Sequence, residues 1–167
     1  MIQPIWNAAR GRMRVAGLAS GSGNTLWKAL ELQKTLEATP DGCPFEIVAV
    51  FADSPDAKAL RTAEEFGIPG LSADIRAFYA DRGAPLKDRS VRAEYDRRIL
   101  DLLAPYAPDG ILLAGYVWAT TSVITGSLIT WGVHPADLAI EKDGRRAYAG
   151  ADGVGSPLAG GEPEIRA

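Results

Sequence analysis

The amino-acid sequence predicts an α/β fold in which a doubly wound, mostly parallel sheet carries helices on both faces. Short apolar runs at residues 13–19, 45–51, 109–115 and 129–133 alternate with segments whose apolar residues recur at helical spacing. The runs are almost wholly apolar, as strands buried on both faces require. Dense turn signals, such as the Pro- and Gly-rich residues 39–44, separate strands from helices. Together these observations indicate repeated βαβ units.

The first strand leads into a glycine loop, defined here as residues 20–25, with the sequence Ser-Gly-Ser-Gly-Asn-Thr. A helix over residues 26–36 follows, and Asn24 or Thr25 is expected to accept hydrogen bonds from its first N–H groups. Glycines let a ligand approach the backbone, and the helix dipole favours an anion there. The alternative is a tight turn without a ligand. No Gly-Lys-Ser/Thr follows and position 26 is not glycine, so a small anion such as a monophosphate is favoured over a triphosphate or a dinucleotide.

Two further helices have clear start signals. Asp53 or Ser54, ahead of Pro55, is expected to cap a helix that stops at Gly67. Ser90 is expected to cap a helix with an apolar face of Val91, Tyr95, Ile99, Leu102 and Leu103. Its opposite, charged face is expected to carry Arg92, Glu94, Asp96, Arg97, Arg98 and Asp101. Shorter helices are predicted over residues 73–81 and 121–128.

Three segments fall at the carboxyl ends of predicted strands: residues 20–25, 116–120 and 134–138. Ligands of open parallel sheets bind in the crevice outside these ends. The third segment begins with His134, the only histidine and the only side chain whose ordinary pKa lies near neutrality. A buried structural histidine is the usual alternative. Its place at a strand end favours a functional role.

Composition bounds the class of protein. The 167 residues, 47% of them hydrophobic, fit one domain with a sizeable core. A net charge of −3, a pI near 5.2 and no large Lys/Arg cluster argue against a nucleic-acid partner. No apolar run reaches 18 residues, which argues against a membrane partner. The single Cys43 provides no disulfide, so a cytoplasmic location is expected, and one His with one distant Cys offers no metal site.

The chain is expected to divide into three parts. Residues 1–12 are predicted to be a disordered lead-in, and residues 13–149 an α/β domain. Residues 150–167 are predicted to be a glycine-rich loop or disordered tail, because five glycines lie between Gly150 and Gly161 with few large apolar side chains.

Several motifs, in their order and spacing, resemble the phosphoribosylglycinamide formyltransferase family of the Rossmann-like formyltransferase fold. The resemblance covers residues 13 to about 138. It is carried by Val15-Ala-Gly-Leu-Ala-Ser-Gly-Ser-Gly-Asn24, Glu94-Tyr-Asp-Arg97, Tyr106-Ala-Pro-Asp-Gly-Ile-Leu-Leu-Ala-Gly-Tyr116 and Val133-His-Pro135. The combination is fairly specific, whereas any one motif alone is weak.

The resemblance implies formyl transfer from the cosubstrate formyl-tetrahydrofolate to the amine of a small phosphorylated substrate, glycinamide ribonucleotide, in purine biosynthesis. It implies that His134 is catalytic and assists attack of the amine on the formyl carbon. The substrate phosphate is assigned in the same way to six residues: Gly21, Ser22, Gly23, Asn24, Thr25 and Arg92. The folate pocket is assigned to Val117, Trp118, Ala119 and Thr120.

This chain departs from the family pattern at identifiable positions. Gly132 stands where the family has an Asn two residues before the histidine, and Trp118 where it commonly has Arg. The family's catalytic Asp lies in a later Val-Asp-x-Gly segment that has no counterpart up to Ala167, so the C-terminal part of the fold is expected to be incomplete. Asp137 and Asp152 are not in that context.

Three hypotheses therefore remain open at this stage. The first is a divergent folate-dependent formyltransferase. The second is a catalytically weak relative that binds a phosphorylated ligand or folate without efficient turnover. The third is an unrelated doubly wound binding or regulatory domain. The exact acceptor amine and the oligomeric state are left open by the sequence.

Overall fold

The computed structural model describes residues 5–133, 139–147 and 159–160. Contacts divide the chain into two compact units, Met1–Trp131 and Gly132–Ala167. Five strands form the main sheet: β1 (Met13–Ala19), β2 (Phe45–Ala52), β3 (Gly70–Ser72), β4 (Gly110–Leu113) and β5 (Ile129–Gly132). Five α-helices are described: α1 (Asn24–Glu37), α2 (Lys58–Glu65), α3 (Ile75–Ala80), α4 (Arg89–Leu103) and α5 (Ser122–Thr125). Single 3-10 turns occur at Ala8–Arg10 and Ala104–Tyr106.

The strand order in the sheet is β3-β2-β1-β4-β5. The pairings β1–β2, β1–β4 and β2–β3 are all parallel, which confirms the predicted, mostly parallel α/β sheet. Because β1 is central, the register places Ala19 beside Ala52 on one side, and Leu18 beside Leu113 on the other. The chain therefore leaves β1, β2 and β4 at the same edge of the sheet.

Helices cover both faces of the sheet, and alternate side chains of each strand belong to different layers. In β2, Val50 packs in the layer that contains Leu26 and Leu30 of α1, whereas Phe51 packs in the layer that contains Tyr95 of α4. Successive side chains of a strand point to opposite faces, so both faces must be apolar when both are covered. The continuous apolar runs of the sequence follow from this double burial.

Helix starts differ from the predictions in three places. α4 is capped by Asp88 and not by Ser90: the Asp88 carboxylate accepts hydrogen bonds from the backbone N–H groups of Ser90 and Val91, at 2.9 and 3.3 Å. α2 begins after Ala57 without a side-chain cap, because the turn over residues 53–57 intervenes. α1 begins after Gly23, again without a side-chain cap, so neither Asn24 nor Thr25 plays the predicted capping role.

The charged face predicted for α4 is also partly wrong. Arg92 and Asp96 are buried, at 6% and 0% exposure, beside the apolar stripe of the helix. Aromatic rings lie around the Arg92 guanidinium, and Thr121 donates to the Asp96 carboxylate, so each buried charge has a partial substitute for water.

The described part of the second unit contains an antiparallel hairpin of β6 (Glu141–Lys142) and β7 (Arg145–Arg146). Asp143 and Gly144 between them have φ of 54° and 70°, the positive angles that a two-residue hairpin turn requires. The polar turn predicted over residues 141–146 is thus a hairpin. His134, Asp137 and most of residues 148–167 lie outside the described residues, and the predicted domain boundaries remain predictions. Among the helices that the structure describes, none is long and apolar enough to cross a membrane.

We expect Asp88→Ala to lower the urea midpoint of unfolding at neutral pH, because it removes the cap of α4. The hydrogen bonds from Ser90 and Val91 hold the pKa of Asp88 below its ordinary value. Because the pKa of Asp88 is lower in the folded than in the unfolded state, the ionised cap stabilises the folded protein at pH values above the unfolded-state pKa. This contribution is lost as the pH falls through the folded-state pKa. The difference between the two proteins should therefore shrink below about pH 4.

Asp101→Ala is the matched control, since Asp101 is an exposed carboxylate near the end of the same helix. Equal midpoints for wild type and Asp88→Ala across the pH range would contradict the assignment of Asp88 as the cap.

Candidate functional site

The loops that follow β1 and β4 meet directly at the carboxyl edge of the sheet. The backbone N–H of Ser20 donates to the carbonyl of Gly115 at 3.2 Å, and the N–H of Val117 donates to Ser20 Oγ at 3.0 Å. The N–H of Asp53, after β2, donates to the carbonyl of Ala19 at 3.4 Å. Two of the three segments predicted to meet here are therefore in contact. The third begins at His134, outside the described residues.

The glycine loop borders a cavity of about 320 Å³. Its lining consists of Ser20, Gly21, Ser22, Gly23, Asn24 and Thr25, with Ala114, Gly115 and Val117 from the β4 side. The five glycine-loop residues predicted to hold a phosphate thus share one cavity with a residue of the predicted folate loop. Because no side chain caps α1, its first N–H groups remain without an intrahelical or capping partner. With this arrangement the free backbone N–H groups and the helix dipole can bind an anion.

The two glycines of the loop have different physical roles. Gly23 has φ of 72°, and a Cβ placed on it would lie 2.8 Å from Cα of Ala59 in α2. The close approach at Gly23 is therefore to α2. At Gly21 a Cβ would meet nothing within 4 Å, and the Gly21 carbonyl accepts a hydrogen bond from Ala59 N at 3.3 Å. Gly23 is required for packing, while Gly21 leaves open space.

Arg92, predicted to assist with the phosphate, does not line the glycine-loop cavity. Its guanidinium carbon lies 4.7 Å from the ring centroid of Trp118, 5.2 Å from that of Tyr79 and 5.8 Å from that of Tyr95. A second cavity, of about 210 Å³, lies beside Arg92. It is lined by Arg92, by Leu86, Lys87, Asp88 and Arg89 at and just before the start of α4, and by Trp118 and Ala119. Arg92 Nη1 is buried, and no residue in the described part of the chain forms a hydrogen bond with it.

The predicted folate loop divides these two cavities. Val117, 66% exposed, borders the glycine-loop cavity, and Trp118 and Ala119 border the one beside Arg92. Tyr116 before them is buried, and burial raises the pKa of its hydroxyl well above the ordinary value, against a smaller lowering by Arg92. The Tyr116 hydroxyl therefore stays protonated and neutral near pH 7. Thr120 lies in the same loop outside both cavity linings.

Two functional candidates were missed at the sequence level, both of them carboxylates. Asp53 accepts a hydrogen bond from the indole N–H of Trp118, and Asp96 accepts from the N–H and hydroxyl of Thr121, at 2.6 and 2.8 Å. The sequence pattern indicates a helix cap at Asp53 and a surface charge at Asp96. The usable signal was the position of Asp53 directly after a buried strand, where ligand sites of parallel sheets lie.

Comparison with solved structures places the chain in a class: doubly wound α/β proteins with the phosphoribosylglycinamide formyltransferase fold. Glycinamide ribonucleotide transformylase 1 from Geobacillus kaustophilus matches with a TM-score of 0.72 and 23% identity, over 92% of this chain and 71% of that chain. Phosphoribosylglycinamide formyltransferase from Brucella melitensis matches with a TM-score of 0.65 and 27% identity, over 90% of this chain and 67% of that chain. The resemblance stated from the motifs is thereby confirmed at the level of the fold.

A third solved structure, glycinamide ribonucleotide transformylase 1 from Symbiobacterium toebii, has a TM-score of 0.67 and 24% identity. The match covers 90% of this chain, and this chain spans only 61% of the length of that structure. No protein-family model and no curated protein sequence matches the chain. The described residues contain no group of three or more His, Cys, Asp or Glu side chains placed to hold a metal ion.

We expect Gly23→Ala to destabilise the protein by about 2 kcal/mol. The alanine must adopt a left-handed backbone conformation, and its Cβ would lie too close to Ala59. Gly21→Ala is the matched control, because Gly21 lies two positions earlier in the same loop and a Cβ placed there would meet nothing within 4 Å. Urea denaturation of both variants measures the difference. Equal stabilities would show that α1 and α2 can separate at little cost.

Proposed function

We propose that the chain is a formyltransferase domain that transfers the formyl group of formyl-tetrahydrofolate to the amine of a small phosphorylated substrate, glycinamide ribonucleotide. The observation that carries the proposal is the uncapped start of α1 at a 320 Å³ cavity shared by the glycine loop and the loop after β4. The shared fold supports the same assignment, because the solved neighbours are named as glycinamide ribonucleotide transformylases. Purine biosynthesis is the pathway that this substrate implies.

In the proposed reaction the substrate amine attacks the formyl carbon and a tetrahedral oxyanion forms. The bond from that carbon to the folate nitrogen then breaks, and the proton lost by the amine ends on the folate nitrogen. His134 is proposed to stabilise the oxyanion and assist this proton transfer. The glycine loop would hold the phosphate, and residues 117–120 would line the folate pocket. Together they would keep the two reactants oriented.

A weaker catalyst is the second candidate. Gly132 has no side-chain donor where the family has Asn, and such a donor is worth about 2.7–4 kcal/mol of barrier in other enzymes. Trp118 replaces the common Arg and lies over Arg92. These two positions favour a protein that binds a phosphorylated ligand or folate with slow turnover, because losses within a cooperating set of groups are large.

The phosphate site is tested by titration with ribose 5-phosphate, followed by NMR shifts of the backbone amides of residues 21–26. Ser22→Asp should weaken binding at least tenfold, because its carboxylate repels the phosphate and competes for the free N–H groups. Ser22→Asn, of the same size without the charge, should retain binding. If millimolar ligand shifts none of these amides in the wild type, the phosphate assignment is wrong.

The reaction is tested with formyl-tetrahydrofolate and glycinamide ribonucleotide. Wild type should bind both and turn over slowly, and His134→Ala should abolish the remaining turnover without weakening phosphate binding. Brisk turnover would reject the weak-catalyst alternative. Turnover that survives His134→Ala unchanged would remove His134 from the mechanism.

A further inference from the structure

The loop over residues 116–121, called here the tethered loop, is held by side chains from three different elements. Ser20, after β1, accepts from the N–H of Val117. Asp53, after β2, accepts from the indole N–H of Trp118, and Asp96 of α4 accepts from both the N–H and the hydroxyl of Thr121. A six-residue connection thus has anchors at its start, its middle and its end.

The two carboxylates are deeply buried, at 5% exposure for Asp53 and 0% for Asp96. Neither forms an ion pair within 4 Å with the nearby Arg92 in the described part of the chain. The groups that solvate them directly are the loop donors. A buried carboxylate that loses its donors is strongly disfavoured, so the donors are held firmly in place. The second carboxylate oxygen of each Asp, Oδ1, is buried and has no hydrogen-bond partner among the residues that the structure describes, so the bonds to the first oxygen carry more of the stabilisation.

Trp118 is fixed in two directions at once. Its indole N–H is bonded to Asp53, and its ring lies over the Arg92 guanidinium at 4.7 Å. Rotation of the indole away from Asp53 would break both contacts. Val117 borders the glycine-loop cavity and Trp118 the cavity beside Arg92, so the loop that Trp118 helps to hold contributes to both.

We propose that Asp53 is a positioning residue that acts through Trp118: it orients the indole and so keeps the tethered loop in the conformation that binds the folate cosubstrate. Asp96 anchors the far end of the same loop through Thr121. The inference rests on the proposed function for the identity of the ligand. A loop that is ordered before binding loses less conformational entropy on binding, so the affinity for folate depends on a residue that need not touch it.

The test compares Asp53→Ala, Asp53→Asn, Trp118→Phe and the double variant Asp53→Ala/Trp118→Phe. Asp56→Ala is the control, an exposed carboxylate in the same connection. Affinity for tetrahydrofolate is measured by calorimetry. Asp53→Ala and Trp118→Phe should each weaken it about tenfold, or about 1.4 kcal/mol. The double variant should be no weaker than Trp118→Phe, because Asp53 acts only through the indole N–H. Asp53→Asn keeps an acceptor oxygen and should retain most of the affinity.

A second measurement needs no ligand. The indole N–H resonance of Trp118, assigned by its loss in Trp118→Phe, should shift and exchange faster with solvent in Asp53→Ala. The amides of Val117 and Thr121 should also lose protection. Asp56→Ala should change neither. An unchanged indole resonance and unchanged amide exchange in Asp53→Ala would overturn the positioning role.

The two measurements separate the inference from the proposed function. If Asp53→Ala loosens the loop but wild type does not bind tetrahydrofolate, the folate assignment fails and the inference fails with it, while the anchoring of the loop stands. If wild type binds tetrahydrofolate and Asp53→Ala binds it equally well, the proposed function stands and the positioning role is overturned.

Discussion

Strand β1 is paired with a parallel strand on each side and covered by helices on both faces, and the candidate site depends on this placement. The registers with β2 and β4 bring the ends of three strands to one edge of the sheet. The carbonyl of Ala19 accepts a hydrogen bond from Asp53 N, and Ser20 N donates one to the carbonyl of Gly115. The segment that follows β1 is therefore hydrogen-bonded to the segments that follow β2 and β4. A shift of β1 by one residue would exchange its buried faces and separate these loops.

The proposed anion site at the glycine loop depends on the absence of a side-chain cap at the start of α1. A Ser, Thr or Asp at the position before α1 would accept hydrogen bonds from the first N–H groups of the helix. Gly23 occupies that position because its φ is positive and α2 leaves no space for a Cβ. A packing requirement between two helices thus keeps the donors of α1 open toward the cavity.

Charge burial explains how α4 contributes to the site. Arg92 and Asp96 enter the interior beside Val91 and Tyr95, and each is accommodated by a specific neighbour: aromatic rings around the guanidinium, and Thr121 at the carboxylate. Burying such charged groups costs free energy, and removing one partner of a buried charge strongly destabilises the folded protein. They connect α4 to the tethered loop, and Trp118, at a departure from the family pattern, lies where this network meets the second cavity.

The sequence by itself determined the parallel sheet, the order of strands and helices, and the glycine loop as the candidate anion site. These depend on local patterns: unbroken apolar runs over residues 13–19 and 45–51, helical spacing in residues 91–103, and glycine at positions 21 and 23. It could not determine the roles of Asp53, Asp88 and Asp96, because one charged residue in a helical or turn pattern looks the same whether it faces water, caps a helix or binds a distant loop. For Asp88 the local pattern offers both Asp88 and Ser90 as the cap, and the backbone path at the start of α4 selects Asp88. For Asp53 and Asp96 only the tertiary structure decided the role, since their partners Trp118 and Thr121 are distant in sequence and become neighbours only when β2, β4 and α4 pack together.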